Sequence, residues 1–185
     1  MNDLPDQAMP ARAPVSTDAP VSTDAPVSTD APVSTDTIPP NSVAGIAAAV
    51  AAGVRRMLEE AMDCAVLAEF PLKSGRRADL MALDGHGRFL LIEIKSGPAD
   101  FRSDNKWPDY AAWADQFYFA VPETFPQGLL PQAEGLIVAN PYEAAILRDA
   151  APRPPLNPAR RKALTLRFAR IAARRLSGGS APAVI

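Results

Sequence analysis

The run LLIEIKSGP, residues 90–98, decides how this chain is read. Leu90, Leu91, Ile92 and Ile94 are interior residues, yet Glu93 and Lys95 stand one residue apart among them. Burying an ion pair costs desolvation that its own attraction barely offsets, so a pair in such a place needs a reason. FLLIEI (89–94) is apolar on both faces, the pattern of a central strand with helices on each side. Side chains alternate along a strand, so Glu93 and Lys95 share one face with Leu91.

Upstream, RADLMAL (77–83) reads as a second strand, joined to the first through DGHG. If Asp84 and Arg88 close a three-residue loop Gly85-His86-Gly87, Gly87 supplies the left-handed residue such loops need. Asp79 then lies opposite Glu93. A two-residue loop shifts the pairing by one and turns Asp79 to the other face. The loop chemistry favours the first register.

Two carboxylates and one ammonium thus converge on a buried sheet. Facing carboxylates repel and burial raises their pKa values, while Lys95 offsets only one charge. A hard divalent ion resolves this: Mg2+ takes oxygen ligands, keeps several waters and uses one or two carboxylates. Beside it, Lys95 is placed to orient, or help deprotonate, an attacking water, which is the chemistry of phosphodiester hydrolysis.

Asp79 followed by Glu93-Ile94-Lys95 resembles the core motif of the PD-(D/E)XK nuclease superfamily. A wider likeness runs through EFPLKSGRRADLMALD, EIKSGPADFRSDNKWPDY, QFYFAVP, GLIVAN and ARRKALTLRFARIAARRL. Those stretches are similar to the MmcB family of bacterial DNA repair proteins, from about residue 43 to 176. The resemblance implies a restriction-endonuclease-like αβββαβ core, a mixed central sheet flanked by helices, and nuclease activity in the DNA-damage response. It implies Asp79 and Glu93 as ligands of Mg2+ (or Mn2+) and Lys95 as the water-positioning group. Some superfamily members place a further acid on the first helix. Here Glu59 falls off that helix's apolar face and Glu60 sits at its edge, which leaves Glu69 as the substitute ligand, its register against Asp79 not fixed by the loop PLKSGR.

The rest of the chain frames this centre. Residues 13–36 are four copies of APVSTD, too poor in apolar residues to bury anything, so 1–40 is expected to be a disordered tail. A folded domain is expected over 41–178 and a flexible end over 179–185. Asn41 or Ser42 can cap a helix whose apolar face runs Ile46, Val50, Val54, Met57, Ala61. Strands are expected at 64–70, 116–122 and 135–140, a helix interrupted by Pro108 over 99–115, and a basic helix over 159–176. Residues 142–149 suit either a strand or a short helix.

Charge is divided unevenly. The chain carries −2 overall, yet six of its acids lie in the first 40 residues, and from Arg153 to Arg175 there are eight bases and no acid. Arg160, Arg167 and Arg174 recur at seven-residue spacing with Arg170 near them, a row suited to DNA phosphates, beside an apolar stripe of Leu164, Phe168 and Ile171. Arg76 and Arg77 at the hairpin mouth, with Arg102 and Lys106 after the motif, are further phosphate contacts. Trp107 either stacks on a splayed base or packs in the core; aromatics so spaced more often pack. His86, alone in a glycine-flanked turn, reads as an exposed loop residue, and no second His or Cys accompanies it for a zinc site.

Cys64, the single cysteine, permits no internal disulfide and reads as a small buried hydrophobe. No run is long and apolar enough for a membrane span, and the N-terminus lacks a secretory pattern, so a cytoplasmic location is expected. The leading expectation is a Mg2+-dependent DNA nuclease, with a homodimer as one way to cut both strands. The alternative is a catalytically inactive DNA-binding adaptor in a repair or translesion-synthesis complex, with polymerase-associated partners. A third is an interaction module in which Asp79, Glu93 and Lys95 are only an ion-pair network.

Overall fold

The computed structural model describes residues 38–104 and 107–178. The expectations for residues 1–37 and 179–185 lie outside the described residues, as does Lys106. Helix α1 (Val43–Arg56) begins at Ser42, whose side chain accepts from the Gly45 N–H, and one π-helical turn (Met57–Ala61) continues it. Strands β1 (Ala65–Pro71), β2 (Arg77–Leu83) and β3 (Phe89–Ile94) follow, then the short helices α2 (Pro98–Ser103) and α3 (Pro108–Ala111). After β4 (Gln116–Val121), β5 (Gly135–Ala139) and β6 (Ala144–Arg148), the chain ends in α4 (Pro158–Leu176). The six strands form one mixed sheet in chain order. The β3–β4 and β4–β5 pairs are parallel and the others antiparallel.

Each face of the sheet has its own core. On one side Val50, Val54 and Leu58 of α1 and its π-turn pack over Leu80, Leu90, Ile92, Tyr118 and Ile137. On the other, Leu164, Phe168 and Ile171 of α4 meet Phe70, Phe89 and Phe117, with α3 beside them. The apolar stripe expected on α4 is the buried one. On α1 the π-turn changes the outcome. Leu58 joins the core four positions after Val54 and Met57 packs half-buried against it, while Ala61, at the end of the wider turn, is exposed, so the expected face is lost only there.

Residues 142–149 resolve as the edge strand β6, half exposed along its length. Such a strand alternates too weakly to be told from a helix by pattern. Among the described residues, no helix is long and apolar enough to cross a membrane.

Candidate functional site

The β2–β3 turn has the expected chemistry. Asp84 N–H donates to Arg88 C=O (3.1 Å), Gly87 N–H to Asp84 C=O (3.0 Å), and Gly87 has φ +77°. The Asp84 carboxylate accepts from the His86 and Arg88 amides, and those bonds outweigh the effect of its partial burial, holding it below the usual carboxylate range. His86 itself is exposed. The turn sets Leu80 opposite Ile92 and Ala82 opposite Leu90, so the next position brings Asp79 to Glu93. Ladder pairing stops there. Asp79 Oδ2 instead accepts the Ile94 N–H at 2.7 Å, a carboxylate standing in for a strand partner.

Glu93 and Lys95 are buried, 6% and 3% exposed. Lys95 Nζ donates to Glu93 Oε1 (3.1 Å) and to Asp104 Oδ2 (2.6 Å). Glu93 Oε2 is buried without any hydrogen-bond partner. Burial, and then the negative Asp79 nearby, push the Glu93 carboxyl up to about 8. Burial also raises Asp79. Burial pulls the Lys95 ammonium down, but its bonds to Asp104 and Glu93 more than offset this and leave it raised. The two ion pairs thus favour the charged form of Lys95. Burial and the facing Asp79 thus favour the protonated form of Glu93, while Asp104 pairs with Lys95.

Asp104 was not anticipated from the sequence. Phe101 sits edge-on against Phe119 (5.6 Å) and Phe125 (6.5 Å), which fixes α2 across the sheet and returns Asp104 over Lys95. Asp100, earlier on α2, accepts from the Ser96 amide and hydroxyl and so ties the end of β3 to the helix. Tyr110 on α3 is a further neighbour. Burial and the charge of Glu93 raise its phenol, and the Arg76 guanidinium stands 5.7 Å over its ring.

The β1–β2 register puts Glu69 level with Asp79, and after burial its negative charge is among those that raise Asp79. Glu69 has φ +51°, a strained value for a residue other than glycine, and its exposed carboxylate is paired with Arg77. The strand's alternation breaks there, with Leu67 and Phe70 both turned to the α4 side. Among the described residues no group of three His, Cys, Asp or Glu is arranged to hold a metal ion. Glu59 and Glu60 are exposed and pair with Arg55 and Arg56 on their own helix. What remains for Mg2+ or Mn2+ is a donor pair, Asp79 and Glu93, with one orphaned buried oxygen. A cation that keeps most of its waters fits such a pair.

The expected phosphate contacts divide. Arg76 bonds Asp109 (3.0 Å) beside Tyr110, at the site. Arg102 is exposed on α2 and Arg170 on α4. Arg160 lies 5.2 Å over the Trp113 ring, Arg167 is half-buried, and so is Arg174. Trp107 is half-buried and packed against Phe117 (5.8 Å) and Phe119 (5.3 Å). Cys64 is buried, and burial raises its thiol.

With the geometry in hand, comparison with known proteins places the chain. Residues 35–183 match the model of a family described as DNA repair protein MmcB-like. The chain belongs to that MmcB-like family. It is also similar to a solved structure described as SPO1766, a protein of unknown function from Silicibacter pomeroyi. The two share 43% identity over 70% of this chain and 88% of the other, with a TM-score of 0.66. Nothing matches among curated proteins.

Proposed function

We propose that this member of the MmcB-like family is a DNA-repair nuclease of the PD-(D/E)XK type that hydrolyses phosphodiester bonds in the cytoplasm. One observation carries the reading: a buried Glu93 with an orphaned oxygen faces Asp79 beside a fixed ammonium. Asp79 and Glu93 would hold Mg2+ or Mn2+, which when bound neutralises charge developing on the phosphate and acidifies a coordinated water. Lys95 has three N–H donors and spends two on Glu93 and Asp104. Its third is free to orient a water or a phosphate oxygen. Because it stays protonated, it positions the nucleophile and stabilises charge and does not take a proton. Asp104 is a positioning residue that holds the ammonium in place. Arg76, at the mouth of the hairpin, is placed for the neighbouring phosphate.

The test is cleavage of branched, single-stranded and duplex DNA by the purified chain with Mg2+ or Mn2+. Asp79→Ala and Lys95→Ala are each expected to lower the rate by about a hundredfold or more, the scale of losing a charge-stabilising group. Cleavage left unchanged by both would overturn the reading.

A second reading has its own support, because no group of three or more His, Cys, Asp or Glu among the described residues is arranged to hold a metal ion. It is a non-cleaving DNA-binding adaptor within a repair or translesion-synthesis complex. It predicts salt-sensitive binding that survives Asp79→Ala, and no metal-dependent cutting.

A further inference from the structure

Away from the carboxylates, a cavity of about 280 Å³ opens between α4, the β1–β2 loop and the end of α3. Three cations line it, Lys73, Arg160 and Arg167, and no acid does. Arg160 is already fixed: its Nη1 donates to Ala112 C=O (2.9 Å) and its guanidinium covers the Trp113 ring. Arg167 is held differently. Its Nε is buried and has no hydrogen-bond partner. Among the described residues the Arg167 guanidinium makes no hydrogen bond or ion pair, so its charge is left without an acceptor from the chain. The rest of the wall, with Trp113, Ala163 and Leu164, is apolar and suits the face of a sugar or base.

The loop that supplies Lys73 also supplies Arg76, which stands over Tyr110 at the carboxylate site. The stretch Leu72–Arg76 is closed on itself by Leu72 N–H to Arg76 C=O (2.8 Å) and therefore links the two places rigidly.

We propose that this cavity is a second, non-catalytic nucleic-acid subsite. It takes one phosphate group of a DNA strand between Lys73 and Arg167, with Arg160 and the Trp113 wall bordering the adjoining nucleoside. The proposal deepens the nucleic-acid reading and rests on it. It also selects among the arginines of α4, assigning Arg160 and Arg167 to one pocket with a lysine that the helix pattern does not reveal.

The experiment measures binding of a labelled single-stranded oligonucleotide to the full chain in EDTA, across a series of salt concentrations. Lys73→Gln, in an exposed loop where folding is not at stake, and Arg167→Gln are each expected to weaken binding on the order of fivefold. Each should also flatten the dependence of log affinity on log salt by about one ion. Lys162→Gln, an exposed substitution on α4 outside the cavity, should leave the slope at the wild-type value. A 5′-phosphorylated strand compared with a 5′-hydroxyl strand separates the two sources of phosphate. A preference lost in Arg167→Gln assigns a terminal phosphate; a flattened slope without that preference assigns an internal one. A slope unchanged in both Lys73→Gln and Arg167→Gln overturns the subsite, whatever cleavage assays show. A flattened slope in a chain that cuts nothing supports the subsite while the nuclease reading fails.

Discussion

The two faces of one sheet do different things, and β3 shows it within six residues. On the α1 side its residues are Leu90 and Ile92, buried among Val50, Val54, Leu80 and Tyr118, an apolar layer around the strand centres. On the other side Phe89 and Leu91 begin the same way, but the strand ends in Glu93, followed by Lys95 just past its end. The first face is bound to a single helix and optimised for packing. The second is covered by α4 and two short helices, and it admits charge where ladder pairing gives out and Asp79 replaces a strand partner. The contrast teaches that the fold does not need these charges. A chain able to build one apolar face could have built two, and the buried cluster costs stability that apolar side chains there would not.

Four substitutions break or sharpen this comparison. The largest effect is expected from Ile92→Glu, which puts an unpaired carboxylate on the face with no partner for it. It should cost more than about 4 kcal/mol, leaving little folded protein by circular dichroism. Lys95→Ala on the other face removes the shared cation of Glu93 and Asp104, and should cost about 3–5 kcal/mol in urea unfolding. A smaller loss is expected from Gly53→Ala. There the added Cβ would come within 2.1 Å of the Asn140 carbonyl, forcing α1 away from the β5–β6 turn at about 1–3 kcal/mol.

The smallest effect is a pH dependence. The Glu93 carboxyl is pushed up to about 8 from an ordinary 4.5, so the folded chain holds a proton that the unfolded chain releases. Stability from this group is fully present below the unfolded value and is lost as pH rises through the folded one. Melting temperature should therefore fall between pH 5 and about 8, and Glu93→Gln should flatten that fall by a few degrees. An unchanged slope would show that Glu93 is not the group responsible.

Much of this was legible in the chain. The loop Gly85-His86-Gly87 needed a left-handed third residue, and that requirement alone set the β2–β3 register and hence the facing of Asp79 and Glu93. Five of the six strands and the buried stripe of α4 were legible from apolar runs and their boundaries, while 142–149 stayed open between strand and helix. What escaped reading depends on tertiary placement. Asp104 reaches Lys95 only because Phe101 anchors α2, and no local spacing encodes that. Lys73 meets Arg167 across a gap of more than ninety positions. Glu69, whose register against Asp79 the loop PLKSGR did not fix, stands level with it, and its exposed carboxylate pairs with Arg77. Trp107 carried a choice between stacking and packing, and its contacts with Phe117 and Phe119 show the packing.

If Asp79 and Glu93 hold a divalent cation, as proposed, its binding must displace the proton that burial favours on Glu93. Titrating Mn2+ into the full chain by calorimetry at pH 7, in buffers of differing ionisation enthalpy, measures binding and proton release together. The account predicts one site that releases about one proton on loading and is lost in both Asp79→Asn and Glu93→Gln. Binding that persists in both variants, or a wild-type chain that takes up no metal, would contradict it.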